Sequence, residues 1–140
     1  MSEPTCRSKI EALLADRLRE GFGTALGDLG DLVVVSGRGD AALKPPYVAC
    51  ILGDLEPIDA GVYRASDAKV VVCSDIHDTQ SDAHDARLSI LSDVLADLTE
   101  LMPLDAGTAR IHGMWITTLS QVPSEQTFSD VVHLALGVSG

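Results

Sequence analysis

Two different periodicities meet between Lys69 and Met102, and no other part of the sequence constrains the fold as tightly. Lys69-Val70-Val71-Val72-Cys73-Ser74 is a short β-branched run bounded by polar residues, the pattern of a strand. Beyond the acidic stretch Asp75 to Gln80, His84, Leu88, Leu91, Leu95, Leu98 and Met102 recur at alternating spacings of four and three. That spacing predicts one buried face of a helix opening near Ser81. Ser81 or Asp82 is placed to accept from the free N–H groups of the first turn, and Asp82 and Asp85 suit the positive end of the helix dipole. Pro103 ends the helix, because it has no N–H to donate and disfavours a helical residue before it. With Asp93, Asp97 and Glu100 on the opposite side, this helix covers something apolar on one face only, and a sheet is the expected partner.

The remaining chain supplies that sheet and a second helix. Thr5 to Phe22 reads as a helix with Ile10, Leu13, Leu14 and Leu18 on one stripe and Gly21 and Gly23 as stop signals. Leu32 to Ser36 is a compact apolar strand with both faces expected to be covered, or nearly so. Pro45-Pro46 introduces an extended segment, Tyr47 to Leu52, and Leu55 to Gly61 reads as a turn-rich connection because of Pro57 and Gly61. Tyr63 to Asp75 continues as one long strand, antiparallel to Tyr47 to Leu52. Strict alternation over Ala109 to Leu119 puts Ile111, Trp115 and Leu119 on one face and Arg110, His112, Met114 and Ile116 on the other. Ser120 to Gln126 is expected to be a polar loop. In the last strand, Phe128 to Val138, Val132, Leu134, Leu136 and Val138 share a face. The expected fold class is α+β: a mixed, mainly antiparallel sheet of about five strands with two helices, in the order α-β-β-β-α-β-β.

At 140 residues the chain suits a single domain, 1–140, burying roughly two-thirds of the surface its unfolded chain exposes. Its net charge of −11 opposes sequence-specific nucleic-acid binding and attachment to anionic membranes. Much of that excess is local, with twelve acids and three bases between Asp54 and Asp105. No run approaches the ~20 apolar residues of a membrane span and no signal core opens the sequence, so a cytosolic protein is expected. Cys6, Cys50 and Cys73 are widely spaced, which favours buried free thiols over a disulfide framework or a zinc site.

Few motifs carry chemistry. Gly37-Arg38-Gly39-Asp40-Ala41-Ala42 formally fits a dinucleotide-binding pattern, with Asp59 about twenty residues on. Leu43-Lys44-Pro45-Pro46 leaves no room for the helix that would face a pyrophosphate, so the segment, Arg38-Gly39-Asp40 included, reads as a turn. The densest cluster is Asp75, His77, Asp78, Asp82, His84 and Asp85, whose carboxylates and imidazoles are ligand types for zinc, manganese or iron. A small metal-dependent enzyme using Asp75, His77, Asp78 and His84 is therefore one alternative reading. Against it, His84 falls on the apolar stripe, where a packed histidine bonded to backbone is expected. A small adaptor or ligand-binding domain is the other alternative. There is no G-x-S-x-G elbow and no phosphate-binding loop, and His112 and His133 lie inside strands without a sequence reason for activation.

Several phrases in order nevertheless resemble a known family. The helix around Ile10 to Leu18 is followed by the Pro-led strand Pro46 to Leu52. Gly61-Val62-Tyr63-Arg64 then leads into Val70-Val71-Val72-Cys73-Ser74-Asp75, a polar loop with His84 and a long helix. Ile111-His112-Gly113-Met114-Trp115-Ile116 and the closing strand complete the pattern. This order resembles the tail terminator, or tail completion, proteins of tailed bacteriophages and prophages. The resemblance implies a non-enzymatic protein without catalytic, cofactor or metal residues. It also implies a homo-oligomeric ring, commonly of six copies, that caps the tail tube, ends its polymerisation and offers a surface to the head. Expected partners are further copies of the chain, the tail-tube protein and a head–tail connector. The expected location is the host cytoplasm during assembly and then the head-proximal end of the virion tail. The loops Gly53 to Gly61 and Ser120 to Gln126 are the expected contact surfaces.

Overall fold

A computed structural model describes residues 3–28, 32–36, 46–75, 81–106, 109–123 and 127–139. Its elements are α1 (Glu3–Phe22), α2 (Ala25–Asp28), β1 (Val33–Ser36), β2 (Tyr47–Ile51), β3 (Leu55–Asp59), β4 (Val62–Asp75), α3 (Ser81–Glu100), β5 (Leu104–Ala106), β6 (Ala109–Pro123) and β7 (Thr127–Ser139). The α+β class and the two long helices agree with the sequence reading. The described residues form three helices and seven strands, against the two and about five expected. The additions are short: α2 has four residues and β5 three, too few for any periodicity to register. β3 takes up Leu55–Asp59, where Pro57 argued for a turn. Proline is tolerated there because β3 lies outside the main strand path and pairs only with β4.

The sheet order is β1-β2-β4-β7-β6-β5, with β3 on the first half of β4. Among the described residues only the β1–β2 pair is parallel. β4 bonds β2 antiparallel, Tyr47 opposite Cys73 and Ile51 opposite Lys69, as its long extended pattern implied. Although β1 and β5 stand at opposite ends of this order, α1 packs against both β1 and β5 as well as β2 and β6, so the sheet curls around that helix. Ile10, Leu13, Leu14, Ala15, Leu18 and Phe22 of α1 are buried in the concavity with Leu91, Val94, Leu95 and Leu98 of α3. The expected face of β7, Val132, Leu134, Leu136 and Val138, lies against them.

Chain ends and crossings follow from local chemistry. α1 stops where Gly23 takes a φ of 54° and gives its N–H to the Arg19 carbonyl at 3.0 Å. Gly21 lets α1 approach α3, since a Cβ there would stand 2.4 Å from Val94 Cγ1. Glu11 of α1 accepts from the Leu52 N–H at 2.8 Å, and Arg19 donates to the Val34 carbonyl from Nε at 3.0 Å and Nη2 at 2.7 Å. α1 is thus bonded to the β1–β2 end of the sheet as well as packed on it.

Two sequence expectations need correction. β1 is not covered on both faces: Val34 is buried, but Val33 is half exposed at the sheet edge. In β6 the alternation is broken by register shifts between Ile111 and Gly113 and between Ile116 and Thr118. Each bulge moves the following residues to the opposite face. Ile111, Met114, Ile116 and Leu119 therefore align with the core-facing residues of β7, whereas Trp115 aligns with Ala135 on the outer face. Moreover, β6 extends to Pro123, so part of the expected Ser120 to Gln126 loop is strand.

Candidate functional site

The acidic histidine-containing cluster divides when its positions are located. His77 and Asp78 lie outside the described residues, as does the Gly37 to Ala42 pattern, and the Asp82 side chain is likewise not described. Asp75 closes β4, half-buried, and Asp85 is exposed on α3. His84 turns inward. Its Nδ1 is 2.7 Å from Ser74 Oγ and its Nε2 is 2.5 Å from Asp130 Oδ2. Arg87, one turn further along α3, donates from Nη1 to the same Ser74 Oγ at 2.7 Å. Hence His84 is a packed histidine, as expected, but its ring nitrogens meet side chains.

Burial decides what this arrangement does. Ser74 is 1% exposed and Arg87 2%, so no substrate can approach the hydroxyl. In the Nε2–H tautomer His84 donates to Asp130 and accepts from the Ser74 hydroxyl, whose oxygen accepts from Arg87. Each group bonds the next, from the buried Arg87 guanidinium through Ser74 and His84 to the partly buried Asp130 carboxylate. Among the described residues no buried side-chain nitrogen or oxygen is left without a partner. The network ties α3 to β4 and β7. Ser74, Arg87 and Asp130 were not singled out in the sequence. Arg87 had a visible sign, three residues after His84 on the same helical side, but Asp130 is 46 residues away from its partner.

A second serine–histidine row crosses the outer face of the sheet. Ser120 Oγ lies 2.9 Å from His133 Nε2, and His133 Nδ1 is 3.7 Å from Asp67 Oδ1. Its order mimics a hydrolytic triad, but the carboxylate is beyond hydrogen-bond reach and the row lies across paired strands rather than in a cleft. His112 likewise meets Ser139, Nε2 to Oγ at 2.8 Å. Among the described residues no group of three or more His, Cys, Asp and Glu side chains is placed to hold a metal.

The thiols belong to the core. Cys50 and Cys73 are free and buried. Burial pushes the Cys50 thiol up to about 12, with Glu11 adding to the shift and Arg19 opposing it. Burial and a hydrogen bond with Cys73 raise the Tyr47 phenol. No described helix is long and apolar enough to cross a membrane.

The exposed surface is most unusual along β6. Trp115 is 61% exposed and Leu119 62%, with Ile116 and Val122 also exposed. The Trp115 indole lies over Gly113, where a Cβ would come within 2.8 Å of Cη2. On its far side β6 bonds β5 only from Ala109 to Ile111, and among the described residues the rest of that side carries no strand. Strict alternation put Trp115 and Leu119 on one face and Ile116 on the other; the register with β7 instead puts Ile116 and Leu119 together and Trp115 opposite them.

Comparison with known proteins adds the fold's kinship. No family model matches the sequence, and no curated protein matches it. A chain of the "virion of native gene transfer agent (GTA) particle" shares the fold at a TM-score of 0.61, with 17% identity over 95% of this chain and 98% of that one. A second solved structure, at 19% identity over 99% of this chain and 95% of the other, has a TM-score of only 0.45, too low to carry an argument. This chain is therefore similar in fold, over nearly its whole length, to a component of a gene transfer agent virion.

Proposed function

We propose that this chain is a non-enzymatic structural protein of a phage-like virion, acting as a tail terminator. Copies close into a ring of about six on the end of the tail tube, stop its polymerisation and present a joining surface to the head–tail connector. The observation that carries the reading is the fold likeness to a gene transfer agent virion chain, over 95% of this chain and 98% of that one. The element order that resembles tail terminators supports the same role independently. So does the inward use of His84, the histidine of the acidic cluster whose side chain is described, which bonds Ser74 and Asp130 within the fold. A net charge of −11 suits a passage for DNA, since an acidic wall repels phosphates and keeps the conduit from sticking.

Native mass by light scattering, with negative-stain imaging of the eluted species and a binding assay on tail tubes, tests this. The expected species is a closed ring near six times the 14.7 kDa chain mass, formed alone or on the tube end. A monomer or dimer that ignores tail tubes and the connector overturns the role.

A further inference from the structure

From the β6 edge, Gly113 to Pro123, we infer that a second copy of this chain docks there, extending the sheet from one subunit into the next. The inference takes from the ring reading only that copies associate, and it names the surface. It begins with how the sheet's edges are finished. At β1, a strand of only four residues, Arg19 gives two hydrogen bonds to the Val34 carbonyl and so takes an acceptor of that edge from within. β3 carries Pro57 between Glu56 and Asp59, and both proline and charge oppose strand addition. β6 has neither device. Gly113 to Pro123 contains no ionisable side chain, and it falls within the longest run of the chain free of Asp, Glu, Lys and Arg, 111–124.

Such an edge presents unpaired backbone donors and acceptors to an incoming segment. The two bulges add apolar side chains on both faces of the strand: Ile116 and Leu119 on the side of the helices, Trp115 and Val122 on the other. A docked segment thus gains hydrogen bonds along β6 and apolar contact above and below it. Charge identifies the occupant. Two copies each at −11 repel wherever acidic surfaces face each other, and β6 is the long exposed stretch where they approach without that cost. Against a basic partner an uncharged strip would be a poor choice, because the acidic surface elsewhere would attract it better.

The test replaces Trp115→Lys and Leu119→Lys singly and together in the full chain, with Thr99→Lys on α3 as a charge-matched control. Light scattering reads the mass of each over a concentration series, and circular dichroism confirms folding. Hydrogen exchange on the unaltered protein, dilute against concentrated, reads the amides of 113–123 without any substitution. Expected are loss of the multimer in the β6 variants, its retention in the control, and slowed exchange in 113–123 on assembly. A ring unaffected by the β6 variants, with unchanged exchange in 113–123, overturns the inference and leaves the terminator role standing. A dimer abolished by the same variants upholds the inference and overturns the ring. A wild-type monomer at every concentration overturns self-docking at β6.

Discussion

At one end of the sheet, β1 lies beside α1 and its Val34 carbonyl is held by Arg19; at the other, β6 runs beyond Ile111 with apolar side chains in solvent. The first region has an edge carbonyl bonded by a side chain of α1. Among the described residues, no strand pairs with the outer side of the second beyond Ile111, and its apolar side chains are exposed. The curl of the sheet explains part of the contrast, since α1 and α3 fill the concave side and their cover thins at β6. Ile116 and Leu119 have the same orientation as the buried Leu134 and Val132 opposite them, but they lie outside the helical layer. One alternation pattern therefore serves two purposes, a core in β7 and a surface in β6.

Truncating both members of that contrast gives the largest expected effect. Leu134→Ala removes a fully buried side chain and should destabilise the monomer by roughly 2–5 kcal/mol in urea denaturation. Leu119→Ala, measured at a concentration where the protein is monomeric, should fall within about 0.5 kcal/mol of the parent. Equal losses would mean that β6 belongs to the core, and the distinction between the two regions would collapse.

Next in size is the buried tie. Asp130→Ala leaves His84 Nε2 without its carboxylate in a closed environment and should cost about 1–3 kcal/mol. Ser120→Ala removes the corresponding contact to His133 on the outer face and should cost less than about 0.5 kcal/mol. The same denaturation curves compare them. A Ser120 effect as large as that of Asp130 would make the outer row a structural or functional site in its own right.

The helix crossing gives a two-sided test of comparable size. Gly21→Ala drives a Cβ to 2.4 Å from Val94 Cγ1, and such overpacking typically costs about 1–3 kcal/mol. In that background Val94→Ala should cost less than it does in the parent, because the second change relieves the first. Purely additive losses would show that α1 and α3 shift apart freely at this point.

Which of these features the sequence announced depends on the range of the forces involved. The α3 stripe and the β7 alternation were legible because each repeats a local period over several residues and faces one uniform environment. β3 and β5 were not, since five residues with a proline and three residues without one carry no period. The β6 faces were misassigned for a different reason: a bulge inserts one residue without changing composition, and only pairing with β7 reveals it. His84 illustrates the limit for the site. Its place on the apolar stripe correctly predicted burial, but Ser74 and Asp130 are brought to it by strand pairing across the whole fold. The Asp75 to Asp85 cluster likewise drew notice through proximity in sequence, whereas Asp75 is half-buried, His84 buried and Asp85 exposed.

The smallest expected effect lies at the boundary between the two regions, where β5 ends its cover of β6. There Arg110 Nε donates to Asp105 Oδ1 at 2.6 Å, both side chains about half exposed. The hydrogen bond from Arg110 holds the Asp105 carboxyl below its ordinary range, with Coulombic attraction to the same guanidinium adding to it. A carboxyl lowered in the folded state stabilises above its unfolded value and loses that contribution as pH falls through the folded one. Arg110→Gln should therefore change the urea midpoint little at pH 7, because solvent and salt screen an exposed pair. Below about pH 4 the variant should lose stability less steeply than the parent. A large loss at pH 7 would show that β5 is held to β6 by this pair rather than by Leu104 buried beneath it. The bare edge of β6 would then begin at Ala109, three residues earlier than the pairing places it, and its length would be set by ionic conditions.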